Sequence, residues 1–321
     1  MVNLINSKNK FKKVPGILFG LLAVVCIFSI TTPYFFTLNN FINILEQASI
    51  LVIASFAMTL TILLGKIDMS IGSIMSLTGV VTGLMIHNGM PVWISVFLGV
   101  VTGALLGMFN GYLISYQRFD FWIVTFSSMG IIQSLALVIT NGATVPGFGN
   151  DFRFLGDGSL FGLPVIVLIA SGITILLVFL TLRTTFGSNV YSVGGSEQIS
   201  KYAGINTEAI VFKTYILSGI LAGIAGIVLA SKVNSASPIA GSGYEFDAIA
   251  ATLIGGTPFE GGRGGIVGTL IGALIIAILM NGLNLYGFTP PIQFTLIGFI
   301  IVLIIIIDVL NEKYKAKKWG K

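Results

Sequence analysis

Residues 241–285 read GSGYEFDAIAATLIGGTPFEGGRGGIVGTLIGALIIAILMNGLNL, a membrane-length apolar run that is crowded with glycine and broken by single charges. Glycine at this density lets helix backbones touch where lipid supplies no hydrophobic drive for association. A chain built this way is constrained to be a tightly packed set of membrane helices.

The rest of the sequence agrees. With 55% hydrophobic and 9% charged residues and a mean hydropathy of +0.98, the chain carries more apolar surface than a soluble core of ordinary composition hides. The expected fold is therefore an all-α polytopic membrane protein, a single transmembrane domain over 1–321. A pI near 9.3 raises the question of nucleic acid. The basic residues, however, sit at the ends of apolar spans and form no stripe interleaved with aromatics, so no nucleic-acid partner is expected. The one cysteine, Cys26, lies in the first span and reads as a small buried hydrophobe. Lys8, Lys10, Lys12 and Lys13 precede a run long enough to span, without a clear small-residue cleavage site, and this reads as a retained first helix.

A bilayer core takes about 20 apolar residues per helix. About ten transmembrane or re-entrant segments satisfy this, at 14–36, 43–65, 70–88, 92–116, 121–142, 162–182, 211–232, 245–258, 264–287 and 291–310. The eighth is too short to cross alone and reads as a half-helix, permissible where protein or a water-filled cavity covers its ends. Lysine and arginine set the orientation. With both termini cytoplasmic, including basic stretches at 1–13 and 311–321, all but Arg153 and Lys232 of the 17 basic residues fall inside. The largest cytoplasmic connection is then 184–212 and the largest external one 141–162.

Two glycine-rich regions resemble each other. GKIDMSIGSIMSLTG at 65–79 places Asp68 ahead of a small-residue segment, and GYEFDAIAATLIGG at 243–256 does so with Asp247. The following spans end in Asn110-Gly111 and Asn281-Gly282. The two regions run in opposite directions through the bilayer, as in the inverted repeats of transporters. Gly99, Gly103, Gly107 and Gly111 share one helix face, as do Gly264, Gly268 and Gly272, and Gly219 and Gly223. Asn110, Gln133, Asn281, Asn284 and Gln293 are the polar groups available to face a path through such a bundle.

A carboxylate at mid-bilayer depth costs on the order of 3 kcal/mol on insertion scales. Asp68 and Asp247 sit at segment ends, so capping the following half-helix is the simpler role and contact with a moving solute or ion the alternative. His87 ends an external turn and is expected to be solvated. A chain with one histidine and no nucleophile-base pair supports neither a histidine-rich metal site nor an enzyme.

Residues 65–73 (GKIDMSIGS), 194–205 (GGSEQISKYAGI) and 244–285 resemble the membrane subunits of ribose-type sugar ABC importers, the second carbohydrate uptake class of bacterial permeases. The similarity runs through nearly the whole chain. It implies a permease subunit of the bacterial cytoplasmic membrane that pairs with a second permease copy, identical or related. Its further partners would be cytoplasmic ATPase subunits and an external solute-binding protein, for import of a sugar or similar small polar solute. No G-x-x-x-x-G-K-[ST] loop occurs, so ATP and Mg would be handled by the partner ATPase, with no cofactor bound by this chain. Within 184–212, Ser196 is placed to cap a short helix begun by Glu197 and stopped near Gly204. By resemblance, Gly194, Glu197, Lys201, Gly204 and Ile205 fall where the family docks its ATPase.

Two places depart from the family pattern: Phe119-Asp120-Phe121-Trp122 stands where a Pro-Pro-Phe type start is common, and Gln133-Ser134 where Arg-Gly is common. Both bear on which solute is carried. On physical grounds alone, a secondary transporter coupled to protons or sodium also suits inverted repeats and buried acids. A structural or receptor-like membrane protein gives so many glycines and broken spans no evident purpose.

Overall fold

The computed structural model describes residues 14–289, together with 291–293, 295–300, 302–303 and 306. Among the described residues, the helices up to residue 285 are α1 (Val14–Thr31), α2 (Leu38–Leu63), α3 (Ile71–His87), α4 (Val92–Ser115), α5 (Phe121–Thr140), α6 (Asn150–Asp157), α7 (Val165–Arg183), α8 (Thr185–Gly195), α9 (Glu197–Tyr202), α10 (Thr207–Val233), α11 (Tyr244–Ile254) and α12 (Ile266–Leu285). Four two-residue strands accompany them: β1 (Val145–Pro146) pairs antiparallel with β4 (Ser235–Ala236), and β2 (Ser159–Leu160) with β3 (Leu163–Pro164). Among the described residues, α2, α4, α5, α7, α10 and α12 are each long and apolar enough to cross a membrane. A shorter apolar helix begins at Pro291. The basic stretches 1–13 and 311–321, and most of 301–310, lie outside the described residues.

The long helices α2 and α10 form the axis and pack on each other. Every residue of α2 from Ala48 to Leu63 is buried, as expected of a helix that is apolar all round. The Gly-rich α4 and the short α3 lean on α10, while α12 and the short α11 lean on α2. Each axial helix therefore carries one Gly-rich helix and one short helix. The α4 helix has two distinct faces. Gly99, Gly103, Gly107, Asn110 and Gly111 are buried, and Trp93, Phe97, Leu105 and Phe109 are exposed, an apolar surface suited to lipid.

The glycine face brings backbones together. A Cβ on Gly103 would lie 2.4 Å from the Gly219 carbonyl oxygen, and one on Gly219 only 2.2 Å from that of Gly103, so neither position accepts a side chain without parting α4 from α10. On α12, Gly268 and Gly272 meet the Gly255 and Ala251 carbonyls in the same manner, at 2.0 Å each. Gly264, grouped with them by spacing, precedes the helix instead, with φ of +95° against Thr257.

Both large connections are more ordered than their composition predicts. The stretch 184–212 is mostly helix: α8 fills 185–195, Thr184 caps it, and α10 begins at Thr207. The stretch 141–162 contains α6, strapped to the end of α10 by a Ser231 Oγ bond to the Phe152 carbonyl and by Lys232, whose Nζ lies 2.7 Å from Glu46 and 2.9 Å from Asp157. The hydrogen bond from Lys232 holds the Asp157 carboxyl below the usual carboxylate range. Gly255 and Gly256 stop α11 at Ile254, short of the expected end at 258, so the helix has 11 residues, too few to cross a bilayer.

Candidate functional site

Two polar assemblies occupy the bundle, one at its end and one within. The first is built around α9. Ser196 Oγ accepts the Ile199 N–H at 3.3 Å, so the serine caps α9 as its position predicts, and Gly204, with φ of +81°, ends the turn after it. Gly194 lies against the end of α2, where an added Cβ would be 1.7 Å from the Leu63 carbonyl oxygen. The same carbonyl accepts the Gly262 N–H at 2.9 Å, so the α8–α9 arm, α2 and the glycine turn before α12 meet at one point. Ile205 packs on the apolar cluster beneath, with Val190, Val193 and Val211.

The charges of this arm point back into the bundle. Arg118, in the turn between α4 and α5, donates to Glu197 at 2.6 Å and also pairs with Glu208. Lys201 lies 3.2 Å from Glu208, and Lys66 lies 3.9 Å from Glu197. The Glu197 hydrogen bond raises the Arg118 guanidinium further above its ordinary value. Lys66, Arg118, Glu197 and Glu208 line a cleft of about 280 Å³ with Asp120 and Phe121. Ile199 and Tyr202, by contrast, are 69% and 82% exposed on the outer side of α9.

The second assembly lies where α3 begins. After α2 the chain folds back into the bundle, so Asp68 is completely buried rather than at a surface. Its Oδ1 accepts the Ser70 N–H at 3.0 Å and the Ser70 hydroxyl at 2.5 Å, and its Oδ2 accepts the Ser218 hydroxyl at 3.3 Å. Asn110 donates to Ser70 Oγ at 2.9 Å and accepts from Ser128 Oγ at 2.6 Å. Ser70, not Asp68, is the N-cap of α3, and Asp68 holds it in place. This network joins α3, α4, α5 and α10.

The first turn of α3 touches the first turn of α11. A Cβ on Gly72 would lie 2.0 Å from Glu245 Oε2, and Gly241 N–H donates to Ser76 Oγ at 2.9 Å. Asp247 does not cap α11. Gly243 is the N-cap, the nearby Glu245 carboxylate accepts its N–H at 3.2 Å, and Asp247 Oδ1 is buried with no hydrogen-bond partner among the described residues.

The other polar residues singled out in the sequence are dispersed. Gln133 on α5 donates to the Pro238 carbonyl and accepts from Ser242, next to the start of α11. Asn281 exchanges two hydrogen bonds with Asn40, at 2.9 and 3.0 Å, fastening α12 to the start of α2. Asn284 is exposed and accepts from Gln293 at 2.6 Å. Of these residues only Asp68 and Asn110 share one network, while Gln133 bonds the 238–242 segment that leads into α11, the helix that carries Asp247. Arg118, Glu208, Glu245 and the serines Ser70, Ser128 and Ser218 were not singled out. The lone arginine between two spans is the signal that could have found the first.

Residues 40–305 match the model of a family described as the permease component of branched-chain amino acid transport systems. Among curated proteins, the chain is 38% identical to a ribose import permease of Escherichia coli (strain K12) over 300 residues, covering 92% of this chain and 93% of that protein. It is 39% identical to a ribose import permease of Bacillus subtilis (strain 168), covering 91% and 92%. It is 35% identical to a D-allose transport system permease of E. coli (strain K12), covering 93% and 92%. No solved structure matches. With its membrane-length helices and full-length coverage by these permeases, the chain belongs to this family of multi-pass permease components, transport subunits rather than enzymes.

Proposed function

We propose that this protein is the transmembrane subunit of an ATP-driven importer that moves a sugar or similar small polar solute across the bacterial cytoplasmic membrane. Its partners are a second permease copy, a separate cytoplasmic ATPase and an external solute-binding protein, with both termini cytoplasmic. The single observation that carries the reading is the α8–α9 arm. It is capped by Ser196, seated through Gly194 on the end of α2, bonded inward by Glu197 and Lys201, and left with Ile199 and Tyr202 facing out. A short helix fixed on its inner side and bare on its outer side is a suitable handle for a nucleotide-driven partner. The ribose and allose permeases among its relatives favour a monosaccharide cargo.

An inverted repeat is part of the same proposal. Exchanging α2, α3 and α4 for α10, α11 and α12 reproduces the packing scheme, since α4 and α3 lie on α10 as α12 and α11 lie on α2. The short helices start inside the bundle from opposite sides, the plan in which broken helices meet at a transport site. The path residues are then those bordering that meeting point, Asp68, Asn110, Gln133 and Asp247, with Asn281 and Asn284 nearer one end. A second reading, a secondary transporter driven by an ion gradient, is favoured by one observation, the buried Asp247 Oδ1 that has no hydrogen-bond partner among the described residues.

Affinity purification of the tagged chain from its native membrane in mild detergent, followed by mass spectrometry, separates the two. A P-loop ATPase recovered in stoichiometric amount supports the importer. The chain recovered alone, with gradient-driven uptake after reconstitution, replaces it with the secondary transporter.

A further inference from the structure

We propose that Arg118 is the positioning residue through which the α9 arm acts on the bundle interior, because the charged cluster it centres and the Asp68 network are two tiers carried by the same four pieces of chain. The segment after α2 contributes Lys66 to the outer tier and Asp68 to the inner one. The α4 helix contributes Asn110 and its following turn contributes Arg118, eight residues further along the chain. The α5 helix contributes Phe121, whose ring lies 5.8 Å from Lys66 Nζ, and Ser128. The α10 helix contributes Glu208 and Ser218. Between the tiers, the Ile67 carbonyl receives the Thr125 hydroxyl at 3.4 Å and lies 3.5 Å from the Tyr215 hydroxyl. A displacement of α9 therefore reaches the start of α3 along covalent chain, chiefly through the guanidinium that holds Glu197 of the arm and Glu208 of α10 together, with the longer Lys66–Glu197 pair and the Lys201–Glu208 pair beside it.

The backbone supports a role for the side chain itself. Arg118 has φ of +60°, a left-handed conformation that costs a residue with a Cβ about 1–2 kcal/mol and that glycine adopts freely. The strain is retained where the guanidinium can fork between two carboxylates, and such strain persists only where the surroundings fix it. Exposed ion pairs add little to overall stability. The contribution of Arg118 is the relative placement of arm and bundle.

This inference rests on the importer reading of the α9 arm, and the experiment separates the two. Hydrogen exchange is followed in the full chain in lipid nanodiscs for the wild type, Arg118→Gly and Arg118→Lys. Arg118→Gly relieves the backbone, so its unfolding midpoint holds or rises, yet exchange in 66–78 quickens by about fivefold while α12 is unchanged. Arg118→Lys falls between, because an ammonium is a point charge and does not fork. Faster exchange confined to 116–120 and α9, with 66–78 as in the wild type, overturns the proposal whatever partner the chain has. With the co-purifying ATPase and binding protein present, Arg118→Gly is expected to raise ATP hydrolysed per solute moved by about fivefold, with Arg118→Lys restoring part of the coupling. A proportional fall in hydrolysis and uptake would reduce Arg118 to a structural contact. If no ATPase co-purifies, the importer reading fails and the exchange result alone decides the link between Arg118 and the Asp68 network.

Discussion

The short helices α3 and α11 are written alike and bonded differently. Each begins inside the bundle beside an acid and small residues, and each leans on one of the two axial helices. At α3 the acid is fully employed. Asp68 takes two donors from Ser70 and one from Ser218, and Asn110 and Ser128 extend the network to two more helices. At α11 the helix starts on glycine, Glu245 turns back to the Gly243 N–H, and Asp247 keeps a buried oxygen with no partner among the described residues. Buried polar atoms are nearly always paired, and among the described residues the Asp247 oxygen shares its unpaired state with hydroxyls such as those of Ser55 and Ser115, but it alone of these belongs to a carboxyl group. One acid is held by a network that joins four helices, and its counterpart has no such network among the described residues.

The largest effect expected from breaking this comparison is at the joint. Asp68→Ala leaves the Ser70 N–H, the Ser70 hydroxyl and the Ser218 hydroxyl without their acceptor in a dry site, a loss of about 3 kcal/mol. Denaturant unfolding in detergent should show it directly. Asp68→Asn keeps one oxygen for Ser70 and offers an amide that donates to Ser218, so it should retain most of the stability and most of the transport. A folded Asp68→Asn protein that carries nothing would make Asp68 a participant rather than a joint.

The contact between the two helices comes next. At Gly72 an added Cβ would meet Glu245 Oε2 at 2.0 Å and the Gly241 carbonyl at 2.4 Å. The carboxylate can swing away but the carbonyl belongs to backbone, so Gly72→Ala must part α3 from the 238–243 segment that leads into α11, at about 2 kcal/mol. If the short helices move against each other during transport, uptake should fall further than this loss of stability accounts for. Equal stability in Gly72→Ala and wild type would mean that the two first turns do not bear on each other in the membrane.

How far the sequence reveals this depends on the range of the interaction. Span positions were readable because length and hydropathy are local, and the Gly99, Gly103, Gly107 face because every fourth residue shares one side of a helix. The Ser196 cap was readable for the same reason, since its partner is three residues away. The bonding of Asp68 was not. Counting apolar residues puts it at a span end, whereas the chain folds back and carries it inside. Asn110 and Asn281 align in sequence but not in structure, since Asn281 bonds Asn40 at a separation of 241 residues. Likewise the acids that hold Arg118 lie 79 and 90 residues away, and nothing local announces them. Helix α8 was missed because a short segment with three glycines reads as a connection, although Phe186, Val190 and Val193 recur at helical spacing and pack on one apolar cluster.

The smallest expected effect on stability is the most informative about function. Asp247 Oδ1 has no bond to lose among the described residues, so Asp247→Asn should leave the unfolding midpoint where it is or raise it, by removing the cost of a buried charge. If the Asp247 half of the comparison contacts the moving solute, uptake should nonetheless fall by about tenfold, equivalent to one charge-assisted hydrogen bond of about 1.4 kcal/mol lost at the transition state. Measuring uptake against the sodium and proton gradients in the same vesicles distinguishes what the carboxylate meets. Loss of solute uptake at every ion condition places a solute hydroxyl on Asp247. Loss of a gradient dependence present in the wild type places a cation there and turns the reading toward secondary transport. Uptake unchanged in Asp247→Asn would show that α11, like α3, is only a joint, and that the path runs elsewhere along Gln133 and the 238–243 segment.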